Sequence, residues 1–539
     1  MPAAANIVER DVIVVGAGFG GCYLLHLLRE KGFSTTVLEA GKRTGGVWAW
    51  SCYPGARVDC ELPYYGFSDP KIWSTWNWTE RFPAYTELRS YFDHVADVWD
   101  LNRDIELNTR VTETRWDDAS KTWIVKTDAG QLYRSTWLIA ATGTSFKQHI
   151  PDFKGKELYK GAMHHSALWP EEGVPLEGKR IAIIGAGSTG IQVLQESAKV
   201  GAHVTQFIKT PNLAVPMRQR KVDEDEIYAT KPHIQHVFKA CRENRMGLPI
   251  VGTGRKTFDD SKEERWKVWE ENWKRGGFNW GIGSYTDTLL SKEANLEAYS
   301  FWREKTLQRI KNPQKADLLA PAKAPYYVST KRPSLEQDYF EMADRDNVEI
   351  TNSPIVELTE TGIQTEDGQH RDFDVIAICT GYDAVTGGLR TMGIKGRNGI
   401  DLDEKWKDGV ITNVGMVVNG FPNFFMVYGP QAPTSLTNGP PFIELQCEWI
   451  RDVLLKQRGE NVLTVEPTKS AEDAWRKHTL DLANMTLAVE TNSWYMGANV
   501  PGKKKEYLLY MGGIPMWHDA CVKSLDGWKE FETTRATDS

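Results

Sequence analysis

Two short segments place glycines where a chain can grip a phosphate. The first is Asp11-Val-Ile-Val-Val-Gly16-Ala-Gly18-Phe-Gly-Gly21. The second is Arg180-Ile-Ala-Ile-Ile-Gly185-Ala-Gly187-Ser188-Thr189-Gly190. Each reads as an apolar strand, a tight turn and a helix, over residues 22–31 and 191–200. The opening glycine permits the turn, the second lets the backbone approach a pyrophosphate, and the third allows helix and strand to pack closely. The phosphates then meet free N–H groups and the positive end of the helix dipole. A glycine-rich turn alone is weak evidence. Here each is followed by a second strand, residues 35–38 and 204–208, and the whole unit is specific.

The two units differ where the second strand ends. The first ends in Glu39, whose carboxylate can accept hydrogen bonds from both hydroxyls of a ribose. At the same distance past Gly185 stands Ile208, followed by Lys209 and Thr210. A carboxylate repels a 2′-phosphate, whereas a lysine attracts it. Gly16, Gly18, Gly21 and Glu39 therefore suit FAD. Gly185, Gly187, Ser188, Thr189, Gly190, Lys209 and Thr210 suit NADP rather than NAD.

These sites require two domains, because the units are too far apart for a solenoid repeat. Ala140-Ala-Thr-Gly143 is a strand running into a small-residue turn and closes the first. Asp374-Val-Ile-Ala-Ile-Cys-Thr-Gly381 closes the second. The expected fold is α/β, with two Rossmann-like dinucleotide-binding domains and a helical insertion. Residues 1–146 and 383–539 form the FAD domain. Residues 147–216 and 324–382 form the NADP domain, and 217–323 the insertion. Within the insertion Trp266, Trp269 and Trp273 share one helical face. That face is expected to pack against a neighbouring domain, with a substrate wall as the alternative.

Composition narrows the class. The 539 residues allow roughly three or four domains. Hydrophobic residues make up 41% and charged residues 25%, as in a soluble globular protein. A net charge of −7 argues against a general nucleic-acid binder, although Lys503, Lys504 and Lys505 could hold a phosphate. No apolar run approaches the roughly 20 residues of a membrane helix, and no secretory leader is expected. Seven scattered cysteines, an odd number with no C-x-x-C pair, fit a reduced, cytoplasmic protein. His164 and His165 lack the ligand pattern of a metal site. The 21 tryptophans suggest apolar walls around ligands or between domains. The oligomeric state is open, and a monomer is compatible.

Two further patterns carry a family resemblance. Tyr159-Lys-Gly161-Ala-Met-His164-His165-Ser-Ala-Leu-Trp169-Pro170 resembles the Baeyer–Villiger monooxygenase fingerprint F-x-G-x-x-x-H-x-x-x-W-P, with Tyr159 for the phenylalanine. Gly45-Gly46-Val47-Trp48-Ala-Trp50-Ser-Cys52-Tyr53-Pro54-Gly55-Ala-Arg57-Val-Asp59 meets a second pattern of that family in full. The matches fall in the family's order along nearly the whole chain. The resemblance implies that NADPH reduces FAD and that O₂ then gives a C4a-peroxyflavin. This attacks a ketone to yield an ester or lactone, with sulfoxidation as a side activity. The flavin does the oxygen chemistry, and the protein supplies position and charge.

The resemblance also implies residue roles. Lys331-Arg332-Pro333 is similar to the segment bearing the family's essential arginine, and a permanent cation is what an anionic peroxide and an oxyanion need. Losing Arg332 should cost on the order of 100-fold or more in rate. Asp59 is its expected partner. Lys331 should join Lys209 at the 2′-phosphate, and Arg57 and Asp59 should approach the nicotinamide. Val47, Trp48, Trp50, Tyr65 and Gly439 are expected at FAD, the two tryptophans against the isoalloxazine. The segment from Pro430 to Gly439 should line the substrate pocket. Residues 490–505 are similar to a mobile loop of the family, and Trp494 on it should close over NADP. The fingerprint should lie on an interdomain linker, with His165 coupling domains rather than acting as a base.

Three alternatives stay open. A flavin N- or S-oxygenase shares the fold, although its fingerprint usually lacks the Trp-Pro ending. An NADPH:disulfide oxidoreductase needs closely paired cysteines, and Cys52 and Cys60 stand too far apart in sequence for that motif. A non-enzymatic NADP sensor would consume no NADPH.

Overall fold

The computed structural model describes residues 7–535. Its first sheet is organised by the strand Ile7–Val15, whose Val12, Ile13 and Val14 are wholly buried. An apolar run of this kind suits a strand covered on both faces. It pairs in parallel with Thr35–Leu38 on one side and Leu132–Ala140 on the other. Leu132–Ala140 then forks. Its first half meets Thr122–Thr127 in antiparallel fashion, and its last residues pair in parallel with Phe424–Met426. The chain after residue 383 thus returns to the first sheet.

The second sheet is all parallel, in the order Val348–Thr351, His203–Phe207, Arg180–Ile184, Val375–Ile378, Ala162–His165. Its edge strand is part of the fingerprint, which sequence placed on a linker. Ladder pairing satisfies backbone groups that a linker crossing the sheet edge would leave buried and unpaired. The nucleotide helices, Phe19–Glu30 and Ser188–Lys199, begin three residues earlier than the sequence suggested. Gly18 and Gly187 accept the first helical bonds, from the N–H groups of Cys22 and Ile191, each at 3.0 Å.

The helical insertion leaves the second domain after Val215–Pro216 and returns at Leu335–Glu336, and these two short strands pair in parallel. The helix Lys262–Arg275 is started by a Ser261 capping box and stopped by Gly276 at φ 73°. Trp269 and Trp273 on it are 1% and 3% exposed. With Trp266 they pack against Phe301 of the helix Lys292–Leu307, inside the insertion rather than against a neighbouring domain.

The segment from Gly45 to Asp59 joins the two nucleotide domains. The Tyr53 hydroxyl donates to Gln192 Oε1 at 3.0 Å, on the second nucleotide helix. Gly55 stands at φ 81°, where a Cβ would come within 2.9 Å of the Gln192 carbonyl oxygen. Gly55→Ala should therefore strain the backbone and push the domains apart, costing about 1–3 kcal/mol. The expected readout is a lower thermal midpoint and faster proteolysis between the domains at undiminished FAD content.

Candidate functional site

A long cavity opens over the first sheet, lined by Gly16, Gly18, Glu39, Val47, Trp50, Tyr65 and Gly439. Gly16 has φ 103°, and a Cβ there would stand 2.6 Å from the Ala141 carbonyl oxygen. A Cβ on Gly21 would fall 1.9 Å from the Gly16 carbonyl oxygen. Both positions require glycine. Glu39 is buried, its Oε2 accepting from the Ala17 N–H and its Oε1 from the Gly41 N–H, each at 2.7 Å. Burial raises its pKa, and those N–H groups with Arg110 oppose the rise. The carboxylate is thereby fixed, with lone pairs left for a ribose. The first turn of Phe19–Glu30 carries no side-chain cap and leaves its N–H groups for a pyrophosphate. This donor and acceptor set fits FAD.

The two tryptophans separate. Val47–Trp50 is a single helical turn, and residues two apart on a helix point to different sides. Trp50 lies beside the Glu39 carboxyl and against Gly41. Trp48 is not among the lining residues, and its indole N–H donates to the Tyr65 hydroxyl at 3.0 Å. Arg110, Phe146 and Tyr428 also line the cavity. They sit in loops, and no motif marked them.

The second glycine turn repeats the first. Gly185 has φ 122°, with a Cβ position 2.4 Å from the Cys379 carbonyl oxygen, whereas a Cβ on Gly187 would meet nothing within 4 Å. The backbone at Gly187 is therefore open to a ligand, and Gly190 closes the turn against Gly185. Ser188 Oγ lies 2.8 Å from Ser334 Oγ, and Thr189 donates to the Tyr53 hydroxyl at 3.4 Å. Lys209, with Thr210 after it, is exposed at the end of His203–Phe207, close enough to Lys331 that its charge acts there. Burial, and then the charge of Lys209, lower the Lys331 pKa. Lys331 sits 4.3 Å above the Tyr326 ring. Among the described residues neither lysine has an ion-pair partner within reach. Two unneutralised ammonium groups side by side suit a dianionic 2′-phosphate.

Arg332 lies where a second cavity begins. Its Nε donates to Asp59 Oδ2 at 2.6 Å and its Nη2 to Asp59 Oδ1 at 2.9 Å. Nη1 donates to the Ser435 carbonyl at 2.9 Å, and Phe278 stacks beneath the guanidinium at 4.8 Å. Burial works against both charges, yet the pair wins: Asp59 is held below the usual carboxylate range and Arg332 above its own. Cys60 Sγ touches both partners at 3.5 Å. Arg57, expected at the nicotinamide, is engaged by Glu80 at 3.1 Å and the Phe82 carbonyl at 3.0 Å.

This second cavity is apolar, walled by Leu248, Phe278, Trp280, Tyr285, Leu436 and Tyr495 among others. Trp269 and Trp273 back the wall by packing edge-on against Tyr285 and Trp280. Of the segment expected to line it, only Leu436 and Thr437 do so; Gly439 faces the FAD cavity. The Gln431 side chain turns inward to accept from Thr412 and donate to the Val410 carbonyl. Leu436 and Gly439 thus connect the walls of both cavities.

The fingerprint and the loop meet through one short segment. His165 Nδ1 accepts from the Ala167 N–H at 3.1 Å, so Nε2 carries the proton and donates to the Gly381 carbonyl at 3.1 Å. Tyr159 donates to the Phe373 carbonyl at 3.0 Å, across the packed turn at Gly161. Buried Trp169 accepts through its carbonyl from the Cys52 thiol at 3.1 Å, with Pro170 alongside. Asn499 of the loop donates to the Tyr382 carbonyl at 2.7 Å, and Lys503 Nζ to Asp383 at 2.8 Å. Lys503 is therefore a buried ion-pair partner and not a phosphate site. Trp494 packs on Tyr495 at 4.3 Å, and it is Tyr495, unmarked by the sequence, that faces the apolar cavity.

Two outcomes follow for these contacts. Replacing Lys209 or Lys331 with alanine should raise the KM for NADPH about tenfold and shrink the preference for NADPH over NADH. Burial lowers the His165 pKa. Its contribution to stability is thus full above the ordinary imidazole range and is lost as the pH falls through the lowered value. The thermal midpoint should drop below about pH 6 more in the parent than in His165→Asn, read by thermal melts across pH.

The Pyridine nucleotide-disulphide oxidoreductase family matches residues 10–232. All seven cysteines are buried free thiols, so this match reflects the nucleotide folds and not a disulfide centre. The chain is 38% identical to the FAD-binding monooxygenase acrE of Aspergillus aculeatus over 98% of its own length and 90% of that protein. It is 38% identical to a cyclopentanone 1,2-monooxygenase of a Comamonas species, over 94% and 93%. The structure of cyclohexanone monooxygenase from Rhodococcus sp. Phi1 bound to NADP⁺ superposes with a TM-score of 0.95 at 35% identity, covering 98% of this chain and 100% of that one. With an FAD cavity, a second nucleotide turn and the Arg332–Asp59 pair in that same framework, the chain belongs to the Baeyer–Villiger family of FAD- and NADPH-dependent monooxygenases.

Proposed function

We propose that this enzyme oxidises ketones: ketone, O₂, NADPH and a proton give ester or lactone, water and NADP⁺. The observation that carries this reading is Arg332, a fixed cation that lines the apolar cavity and whose charge reaches Tyr428 in the wall of the flavin cavity. Bound FAD supplies oxygen activation and NADPH supplies the hydride. Gly16, Gly18 and Glu39 hold the first dinucleotide, and Gly185, Gly187, Lys209 and Lys331 hold the second.

Arg332 keeps positive charge where an oxyanion develops, and Asp59 fixes its direction by a bidentate grip. Because the Asp59 pKa is lowered, its stabilising effect is present above the ordinary carboxylate range and disappears only in acid. The pair is intact at neutral pH. Nη1 has one hydrogen beyond that given to Ser435, which can serve a carbonyl oxygen. The apolar wall excludes water and strengthens this charge. Among the described residues no Asp, Glu or His lines that cavity, and burial pushes the Tyr495 hydroxyl up, so proton donors that would favour attack on amines or sulfides are weak there. Free buried thiols fit a reducing, cytoplasmic setting, and among the described residues no helix is long and apolar enough to cross a membrane.

Aerobic incubation with NADPH and linear, cyclic and aryl ketones, with a thioether as control, should give ketone products heavier by one oxygen. Hydrogen peroxide alone with every ketone would sink the reading. Arg332→Ala should still reduce flavin while losing about 100-fold or more in ketone oxidation. Ester formation at the parent rate by that variant would remove Arg332 from the mechanism.

A further inference from the structure

The apolar cavity carries a charge that ketone oxidation does not require. Among the described residues that line it two are charged, and both are arginines. Arg332 is neutralised by Asp59. Arg245 makes no ion pair among the described residues, and its guanidinium forms one hydrogen bond, from Nη2 to the Met511 carbonyl at 2.5 Å. Most of its N–H donors remain for a ligand.

Arg245 is exposed, but its backbone and stem are held in position. The Arg245 carbonyl accepts from the Ile514 N–H at 3.1 Å. Its stem lies over Gly513, where a Cβ would stand 2.3 Å from Arg245 Cγ, so a side chain there would displace it. The neighbouring Met246 carbonyl accepts from the Asn438 N–H at 2.9 Å. Arg245 is thereby tied to the segment that carries Leu436 and Gly439 between the two cavities.

A neutral ketone needs one cation, at its carbonyl. A second guanidinium on the edge of an otherwise uncharged cavity is a cost when such a substrate covers and desolvates it. It matches a carboxylate, which can take two parallel N–H···O bonds. We propose that the preferred substrates are ketones bearing a carboxylate remote from the carbonyl, with the carboxylate on Arg245, the carbonyl at Arg332 and an aryl or alkyl body along Phe278 and Trp280. This names the substrate class of the ketone reading and rests on it.

The test compares 4-(3-oxobutyl)benzoate with its neutral amide, 4-(3-oxobutyl)benzamide, and with 4-phenyl-2-butanone, using holoenzyme and product mass. The acid should exceed the amide about tenfold in kcat/KM, chiefly through KM. The ratio should shrink at high ionic strength, a measurement on the parent that needs no variant to fold. It should approach one in Arg245→Gln. Equal kcat/KM for acid and amide in the parent, or a preference that survives in Arg245→Gln, overturns the proposal. Oxidation of 4-phenyl-2-butanone without preference for the acid overturns the carboxylate alone; failure of all three ketones takes the ketone reading with it.

Discussion

The structure turns on one ion pair, the bidentate contact of Arg332 with Asp59. A largely buried guanidinium is tolerable only with a partner that satisfies its donors in fixed geometry. Asp59 comes from the segment joining the nucleotide domains. Arg332 comes from the chain as it leaves the helical insertion, before the return strand Leu335–Glu336. Two distant parts of the chain must therefore agree in position before this one cation faces a ligand. The Ser435 carbonyl adds a third, from the chain leading into the helix Gly439–Gly459.

The segment ending in Asp59 explains how that agreement is kept. Gly45 and Gly46 sit against the FAD cavity, Tyr53 and Gly55 dock on the second nucleotide helix, and Asp59 grips the arginine. One stretch of backbone touches both nucleotide sites and the charged group between them. On the other side, the segment Gly381–Asp383 takes His165 of the fingerprint and Asn499 and Lys503 of the loop. Contacts of His165 with backbone, and none with either cavity, account for a motif that is distant from the chemistry.

The insertion contributes shape. Its tryptophan face was legible as a face, because helical spacing puts Trp266, Trp269 and Trp273 together. What the face packs against was not, because spacing within one helix carries no information about the opposing helix. The answer was Phe301 of the same insertion, with Trp280 and Tyr285 interposed before the cavity.

The sequence by itself determined the two nucleotide sites, since a strand, a glycine turn, a helix and a terminal acid or lysine form a local unit whose backbone conformation dictates residue type. The glycines at 16, 21, 185 and 190 lie where added side-chain atoms would strike backbone. The tertiary structure decided the rest: Trp50 beside Glu39, Trp48 on Tyr65, Lys503 on Asp383, Tyr495 in the cavity wall and Arg57 on Glu80. Each of these depends on which way a side chain leaves a short turn and what stands opposite it. Those partners are brought together only by packing between segments far apart in the chain.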